Sequence, residues 1–290
     1  MTIFARLKRY AMILIIDAGS TKMEWALVEN GEVKARFTTQ GFNPNYSDPR
    51  LLGEMLDKQL PEIVPNDLQS VYYYGTGCGA EKNCAFVANA FQKRFAHADI
   101  HVTHDLMAAA HAVLGNERGI ACILGTGANA CVYDGKQIVE KAVSLGFMVG
   151  DEGSGGHIGR SIVRSYFYGF MPDELKAQFR DKYPISVNDF VAQLYHNSQP
   201  SRYLASFASF ACEHQDHPFV AELCRKCFDA FAEAFICRFN DYKSLKVSFV
   251  GSVAYHFSGI LQQSLASHGI IMGEVLQAPM DGLVKYHTLN

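Results

Sequence analysis

Short apolar runs that end in small residues punctuate the first half of the chain, and longer helix-period stretches dominate the second. Residues 13–17 read as an apolar strand ending in Ala18-Gly19-Ser20-Thr21-Lys22. A second strand is expected over 23–28, Asn30-Gly31 signals a type I′ turn, and a third strand follows over 32–38. The same plan returns later. Residues 120–124 form an apolar strand ending in Gly125-Thr126-Gly127-Ala128-Asn129. Residues 130–133 make the next strand, Asp134-Gly135 another turn, and 136–142 the last. Strand, small-residue turn, strand, turn, strand thus occurs twice.

Between the two copies lies an αβα pattern. Residues 71–74 form a strand ending in Gly75-Thr76-Gly77, 81–95 a helix, 100–103 a strand, and 106–114 a helix. Asp105 falls where that strand meets its helix, which suits either a helix N-cap or a group aimed at a ligand. A late strand, 246–250, runs into Gly251-Ser252 and a helical pattern over 253–267. Aromatic residues at helical spacing fill 161–242, as a core would require.

The turns carry the candidate chemistry. Gly, Ser and Thr let backbone N–H groups converge on an anion without side-chain obstruction. Gly19, Ser20, Thr21, Gly125, Thr126 and Gly127 fit that use, and hairpin geometry alone also explains the glycines. Two such hairpins could hold the two ends of a polyphosphate. The chain has no G-x-x-x-x-G-K-[ST] motif, so a P-loop is excluded.

Composition narrows the class. Of 290 residues, 49% are hydrophobic and 19% charged, enough apolar material for about two domains. The net charge of −3 offers no field for nucleic acid or an anionic membrane, and neither is expected as a partner. Eight cysteines show no disulfide framework, and Cys224 and Cys227 form a single C-x-x-C inside a helical stretch, 218–239, where packed thiols are expected. Arg6, Lys8 and Arg9 precede an apolar run at 11–16 that is too short for a signal h-region or a membrane span. Met12 offers a second start, leaving 1–11 as an extension, and the expected location is the cytoplasm.

Taken together, these motifs resemble those of the sugar kinase/actin/heat-shock ATPase superfamily. More closely they are similar to the eukaryotic-type N-acetylglucosamine kinases, a group shared with the activator ATPases of 2-hydroxyacyl-CoA dehydratases. Asp17 to Lys22 resembles the first phosphate motif, and Gly125 to Asn129 the second, which reads G-T-G-S-N in the kinases. Gly150-Asp151-Glu152-Gly153-Ser154 matches the family's G-D-E-G-S run, and Val250 to Val253 resembles the adenosine motif. The chain departs from the kinases at Ser144-Leu145-Gly146-Phe147, where they have G-G-W-G, and at Ala128, where they have serine.

The resemblance implies an α/β fold of two ribonuclease-H-like (actin-like ATPase) domains, with ATP in the cleft between them. The expected parts are an extension at 1–11, one domain at 12–114, and a larger one at 115–290 with a helical insertion at about 161–242. It implies an ATP-dependent kinase that uses Mg²⁺ to phosphorylate an amino sugar, most closely N-acetylglucosamine at its 6-hydroxyl. Asp105 would be the catalytic base and Asp17 the Mg²⁺ ligand. Gly19, Ser20, Thr21, Lys22, Gly125, Thr126, Gly127, Gly251 and Ser252 would bind the nucleotide. Asn43, Ala128, Asn129, Ser144, Leu145, Gly146 and Asp151 would line the sugar site. By the residues alone, Lys22 is equally a solvated strand residue, and Asp151-Glu152 before a helix complements its N-terminal dipole. A homodimer is expected by resemblance. Two rival readings stay open: an activator ATPase of the dehydratase type, and a nucleotide-binding sensor with no acceptor.

Overall fold

The computed structural model describes residues 12–20 and 22–289. In chain order its elements are β1 (Met12–Ala18), β2 (Lys22–Glu29), β3 (Glu32–Gln40), α1 (Pro49–Lys58), β4 (Ser70–Gly75), α2 (Glu81–Arg94), β5 (Asp99–His104) and α3 (Asp105–Leu114). Then come β6 (Gly119–Leu124), β7 (Ala128–Tyr133), β8 (Ile138–Lys141), α4 (Gly155–Phe167), α5 (Asp173–Lys182), α6 (Val187–His196), α7 (Pro200–Ser206), α8 (Ala208–Glu213) and α9 (Pro218–Phe231), which continues as a π-turn over Ala232–Ile236. Last are β9 (Lys246–Val250), α10 (Ser252–His256), α11 (Ser258–Ser267), β10 (Ile271–Leu276) and α12 (Met280–Leu289).

The chain divides into two compact units, Met1–Ala112 with Pro279–Asn290, and Val113–Ala278. The expected split near 114 is close to this boundary, but the carboxyl-terminal segment leaves the second domain and joins the first. The reason is packing. A Cβ on Gly282 would collide with the backbone of Ala112, so α12 docks close against α3, and Arg36 of β3 pairs with Asp281.

The first unit is built on a five-stranded sheet of order β3-β2-β1-β4-β5. β1, β2 and β3 form an antiparallel meander, while β4 and β5 run parallel to β1. Asn30 and Gly31, with φ of 52° and 84°, make the type I′ turn between β2 and β3. Trp25 anchors the core, stacked on Phe37 at 5.5 Å and tilted against Phe91 at 6.1 Å.

The second unit repeats the plan with a sheet of order β10-β9-β6-β7-β8. β6, β7 and β8 form the meander, and β9 runs parallel to β6. Its turn sits one residue later than Asp134-Gly135 suggested. Asp134 Oδ1 accepts the Lys136 and Gln137 N–H groups at 2.8 Å each, Gly135 and Lys136 occupy the corner, and β8 starts only at Ile138. Phe228, Phe231 and Phe249 lie in a core that packs the insertion helices on this sheet. The helical pattern over 253–267 breaks at Phe257 into α10 and α11. Cys224 and Cys227 are buried on α9, and all eight cysteines are free thiols. Among the described residues no helix is long and apolar enough to cross a membrane.

Candidate active site

In the first unit the predicted residues converge at the carboxyl end of β1. Asp17 lies opposite Glu24 of β2 and Tyr74 of β4. Burial raises its pKa first, and the Glu24 and Asp105 carboxylates add to this; Lys22 opposes them, and the result is about 7. The turn after β1 is pinned on three sides. Gly19 N–H donates to the Lys22 carbonyl at 3.0 Å, Phe42 N–H to the Gly19 carbonyl at 3.2 Å, and Thr76 N–H to the Ala18 carbonyl at 2.9 Å. Thr21, predicted to line phosphate, lies outside the described residues, as does the extension at 1–11. Lys22 is exposed.

Asn43 is buried in the loop after β3. Its Nδ2 donates to Ser20 Oγ at 3.2 Å, and its Oδ1 accepts the Asn45 N–H at 3.0 Å. Tyr46 O–H also donates to Ser20 Oγ, at 2.7 Å. With two bonds accepted, Ser20 keeps its own hydroxyl hydrogen for a further acceptor. Asn43 and Ser20 were named separately from the sequence; Tyr46 and Asn45 were missed, because a polar loop over 43–47 carries no signal beyond turn chemistry.

Asp105 begins α3. The N-cap reading of this residue is only part of what the structure shows. Met107 N–H donates to His104 Nδ1 at 3.3 Å, so His104 caps the helix, and Asp105 Oδ1 accepts the neighbouring Leu106 N–H at 2.8 Å. Asp105 is half-buried and close enough to Asp17 to raise its pKa.

The second unit assembles its own half of the predicted set. The turn between β6 and β7 is closed by Gly125 N–H donating to the Gly127 carbonyl at 3.0 Å. The start of α4 clamps the same turn: Gly155 N–H reaches the Gly125 carbonyl at 2.8 Å and Gly156 N–H the Thr126 carbonyl at 3.1 Å. Gly251, at φ 134°, packs so closely on the end of β6 that a Cβ would collide with the Leu124 carbonyl oxygen. These three backbone turns border a cavity of about 350 Å³ lined by Gly125, Thr126, Gly155, Ser252, Val253, His256 and Phe257, with Ala205, Ala208, Ser209, Cys212 and Glu213 on the far wall. The far wall comes from α7 and α8 and was invisible in the sequence, because only tertiary packing brings it there.

Asp151 links this turn to the predicted sugar set. Its φ of 57° places it in the left-handed region that Asp tolerates. Its Oδ1 accepts the Ala128 N–H at 3.3 Å, and a Cβ on Gly127 would meet its Oδ2 at 2.9 Å. Burial raises its pKa, opposed by that N–H bond. Asn129 is half-buried and turns its Oδ1 to the Ala130 N–H at 2.9 Å. Ser144 and Leu145 are exposed, Leu145 at 62%, on a loop that returns through Gly146, whose carbonyl accepts the Gly150 N–H at 2.8 Å.

No protein-family model matches the chain, and no curated protein sequence matches it. Solved structures do. A presumed N-acetylglucosamine kinase from Porphyromonas gingivalis is 38% identical, with 96% of this chain and 99% of that one covered, at a TM-score of 0.91. A presumed N-acetylglucosamine kinase from Chromobacterium violaceum, 16% identical, covers 96% and 99% at 0.70. The fold extends to a ROK hexokinase from Thermus thermophilus, 14% identical, covering 95% and 98% at 0.54.

Proposed function

Because the chain belongs to the N-acetylglucosamine kinase-like family of the sugar kinase/actin/heat-shock ATPase superfamily, we propose that it transfers the γ-phosphoryl group of ATP to the 6-hydroxyl of N-acetylglucosamine in the cytoplasm. The observation that carries the nucleotide half of this reading is the cavity of the second unit. Its rim is three backbone turns free of bulky side chains, and its apolar wall suits a purine.

Phosphoryl transfer asks the protein for alignment, charge neutralisation and a base beside the attacking hydroxyl. Gly125, Thr126 and Gly127 present the turn to the phosphates, and Gly251 and Ser252 flank the nucleoside. Ser20, oriented by Asn43 and Tyr46, donates its hydroxyl hydrogen to a phosphate oxygen. Asp105, at the start of α3 and close enough to Asp17 to raise its pKa, accepts the proton of the sugar hydroxyl. The resemblance assigns Asn43, Asn129 and Asp151 to the sugar.

Mg²⁺ fits the chemistry around Asp17. Its carboxyl is crowded by Glu24 and Asp105, a repulsion that a divalent cation relieves. Among the described residues no group of three metal-ligating side chains converges, so Asp17 would hold the ion with water and phosphate oxygens rather than in a protein cage. Bound there, Mg²⁺ neutralises charge that builds on the transferring group.

Steady-state ADP release over N-acetylglucosamine, N-acetylmannosamine, N-acetylmuramic acid and glucose tests the reading. N-acetylglucosamine is expected to exceed glucose in kcat/KM by about 10²-fold or more, because a site built for an amide leaves its own polar groups unpaired with glucose. N-acetylmuramic acid probes the departure from the kinases at Ser144-Leu145. ADP release that no sugar stimulates would sink the kinase assignment; glucose outrunning every amino sugar would sink the substrate alone.

A further inference from the structure

β4 carries Tyr72, Tyr73 and Tyr74 in succession, and a strand sends alternate side chains to opposite faces. Tyr73 faces the core, where it meets Phe91 at 5.4 Å. Tyr72 and Tyr74 therefore face the side covered by α3 and α12. There Tyr72 enters one of two aromatic stacks, and Tyr74 reaches both through its hydroxyl. His101 of β5, Tyr72 and His287 of α12 form the first, with centroids 4.8 Å and 3.9 Å apart and interplanar angles of 9° and 30°. His111 of α3 and Tyr286 of α12 form the second, 3.9 Å apart at 13°. The Tyr74 hydroxyl bridges the stacks, 2.8 Å from both His111 Nδ1 and His287 Nε2. It has one hydrogen, so one imidazole accepts and the other donates.

These residues line a cavity of about 370 Å³ within the first unit. The volume lies in the lower part of the range of small-ligand sites, about 300–1,000 Å³. Among the described residues no Lys, Arg, Asp or Glu lines it. Burial holds His111 and His287 neutral, each lowered to about 4, so the walls carry no charge from these rings at neutral pH. A charged ligand would lose its hydration with no counter-charge in return. Flat ring walls favour a planar ring. The bridging hydroxyl and imidazoles favour a ring whose edge carries nitrogen or oxygen.

We propose that this cavity is a second ligand site that takes an uncharged planar heteroaromatic compound, stacked against the Tyr and His rings and hydrogen-bonded at its edge. With no Lys or Arg among its described lining residues, the site favours a neutral ring over nucleotides and sugar phosphates.

The test titrates the full chain, saturated with ADP to fill the nucleotide cavity, with nicotinamide, 9-methyladenine, nicotinate and cyclohexanecarboxamide by calorimetry and ligand-observed NMR at pH 7.5. At least one of the two neutral planar probes is expected to saturate with a Kd below about 5 mM. Nicotinate, the same ring with a charge, is expected to bind at least about tenfold more weakly than nicotinamide, and the puckered cyclohexane amide not to bind. Tyr286→Ala removes one stack and is expected to weaken binding by about tenfold. The His287 ring nitrogens, followed by ¹⁵N NMR in the unmodified chain, are expected to shift on titration, which keeps the test independent of whether the variant folds. Failure of both planar probes to saturate, equal binding of nicotinate and nicotinamide, or unmoved His287 signals would overturn the proposal.

Discussion

Gly251→Ala tests the contact that sets the nucleotide cavity. Gly251 has φ 134° and ψ 152°, a region that only glycine occupies readily, and residues forced into such conformations cost about 1–3 kcal/mol. The added methyl would also collide with the Leu124 carbonyl and meet Gly125 N at 3.1 Å. Both are backbone atoms of the second unit's central strand and its turn, so no side chain can swing aside. Relief requires the β9–α10 turn to retreat by roughly an ångström, a strain of the overpacking kind that costs about 1–3 kcal/mol. That retreat also stretches the 2.9 Å bond from Gly251 N–H to the Leu276 carbonyl. Together these give about 3–5 kcal/mol, and at about 2–4 °C per kcal/mol the melting temperature should fall by about 10 °C. Because the same retreat widens the cavity beside Gly125, the KM for ATP should rise by about tenfold with the KM for sugar little changed. Gly259→Ala is the matched control. Gly259 sits in α11 with open space where a Cβ would go, and the substitution should stabilise by about 0.5–1 kcal/mol. Thermal melts and ATP saturation curves of both variants decide the matter. If Gly251→Ala melts within the spread of Gly259→Ala and keeps its KM, the close approach does not shape the site.

The duplicated meander was legible because its signals are local. Asn30-Gly31 adopts positive φ at both residues, and the glycine-rich ends of β1 and β6 mark where backbone must approach backbone. The αβα stretch was legible for the same reason, and β4, α2, β5 and α3 fall within a residue or two of their expected bounds. β10 was missed. Gly273 interrupts its pattern, and the pairing with β9 shifts register between Met272 and Val275; a Cβ on Gly273 would collide with Ser248 Oγ, so the irregularity is set by the neighbouring strand. The place of α12 was missed because its partner surface on α3 lies more than 160 residues earlier in the chain, and no local pattern encodes that docking.

The candidate site divides along the same line. Gly19, Ser20, Gly125 to Gly127 and Gly251 stand out in the sequence because turn geometry restricts residue type. Their supports do not: Tyr46 on Ser20, Gly155 and Gly156 on the hairpin turn, and the wall from α7 and α8 are tertiary. His104 is instructive. Its ring nitrogen accepts the Met107 N–H, a bond of the kind an N-cap at Asp105 would have made.

Two further outcomes follow from the carboxylates. Asp105→Asn should keep the fold and ATP binding while lowering kcat by about 10²–10⁴, the usual share of a general base, with near-normal turnover reducing Asp105 to a partner of the Leu106 N–H. Asp17→Asn should change stability with a defined pH dependence. The Asp17 carboxyl rises from 3.8 to about 7 on folding, so the folded state binds the extra proton between those values. Raising the pH through that window therefore destabilises the native chain, and the penalty is complete above about pH 7. At 1.36 kcal/mol per pKa unit its ceiling is about 4 kcal/mol, and for a half-buried residue that can relax toward solvent about 1–2 kcal/mol is the working figure. The asparagine variant lacks the titration. It should match the native chain in urea melts near pH 4 and exceed it by that margin at pH 8, while losing the Mg²⁺-dependent turnover. Mg²⁺ with ADP should return most of the lost stability to the native chain at pH 8 and little to the variant, because the cation offsets the repulsion among Asp17, Glu24 and Asp105 only where the carboxylate is present. Parallel pH profiles for the two chains would show that the crowding of Asp17 carries no energetic weight, and with it would go the physical reason for placing the metal there.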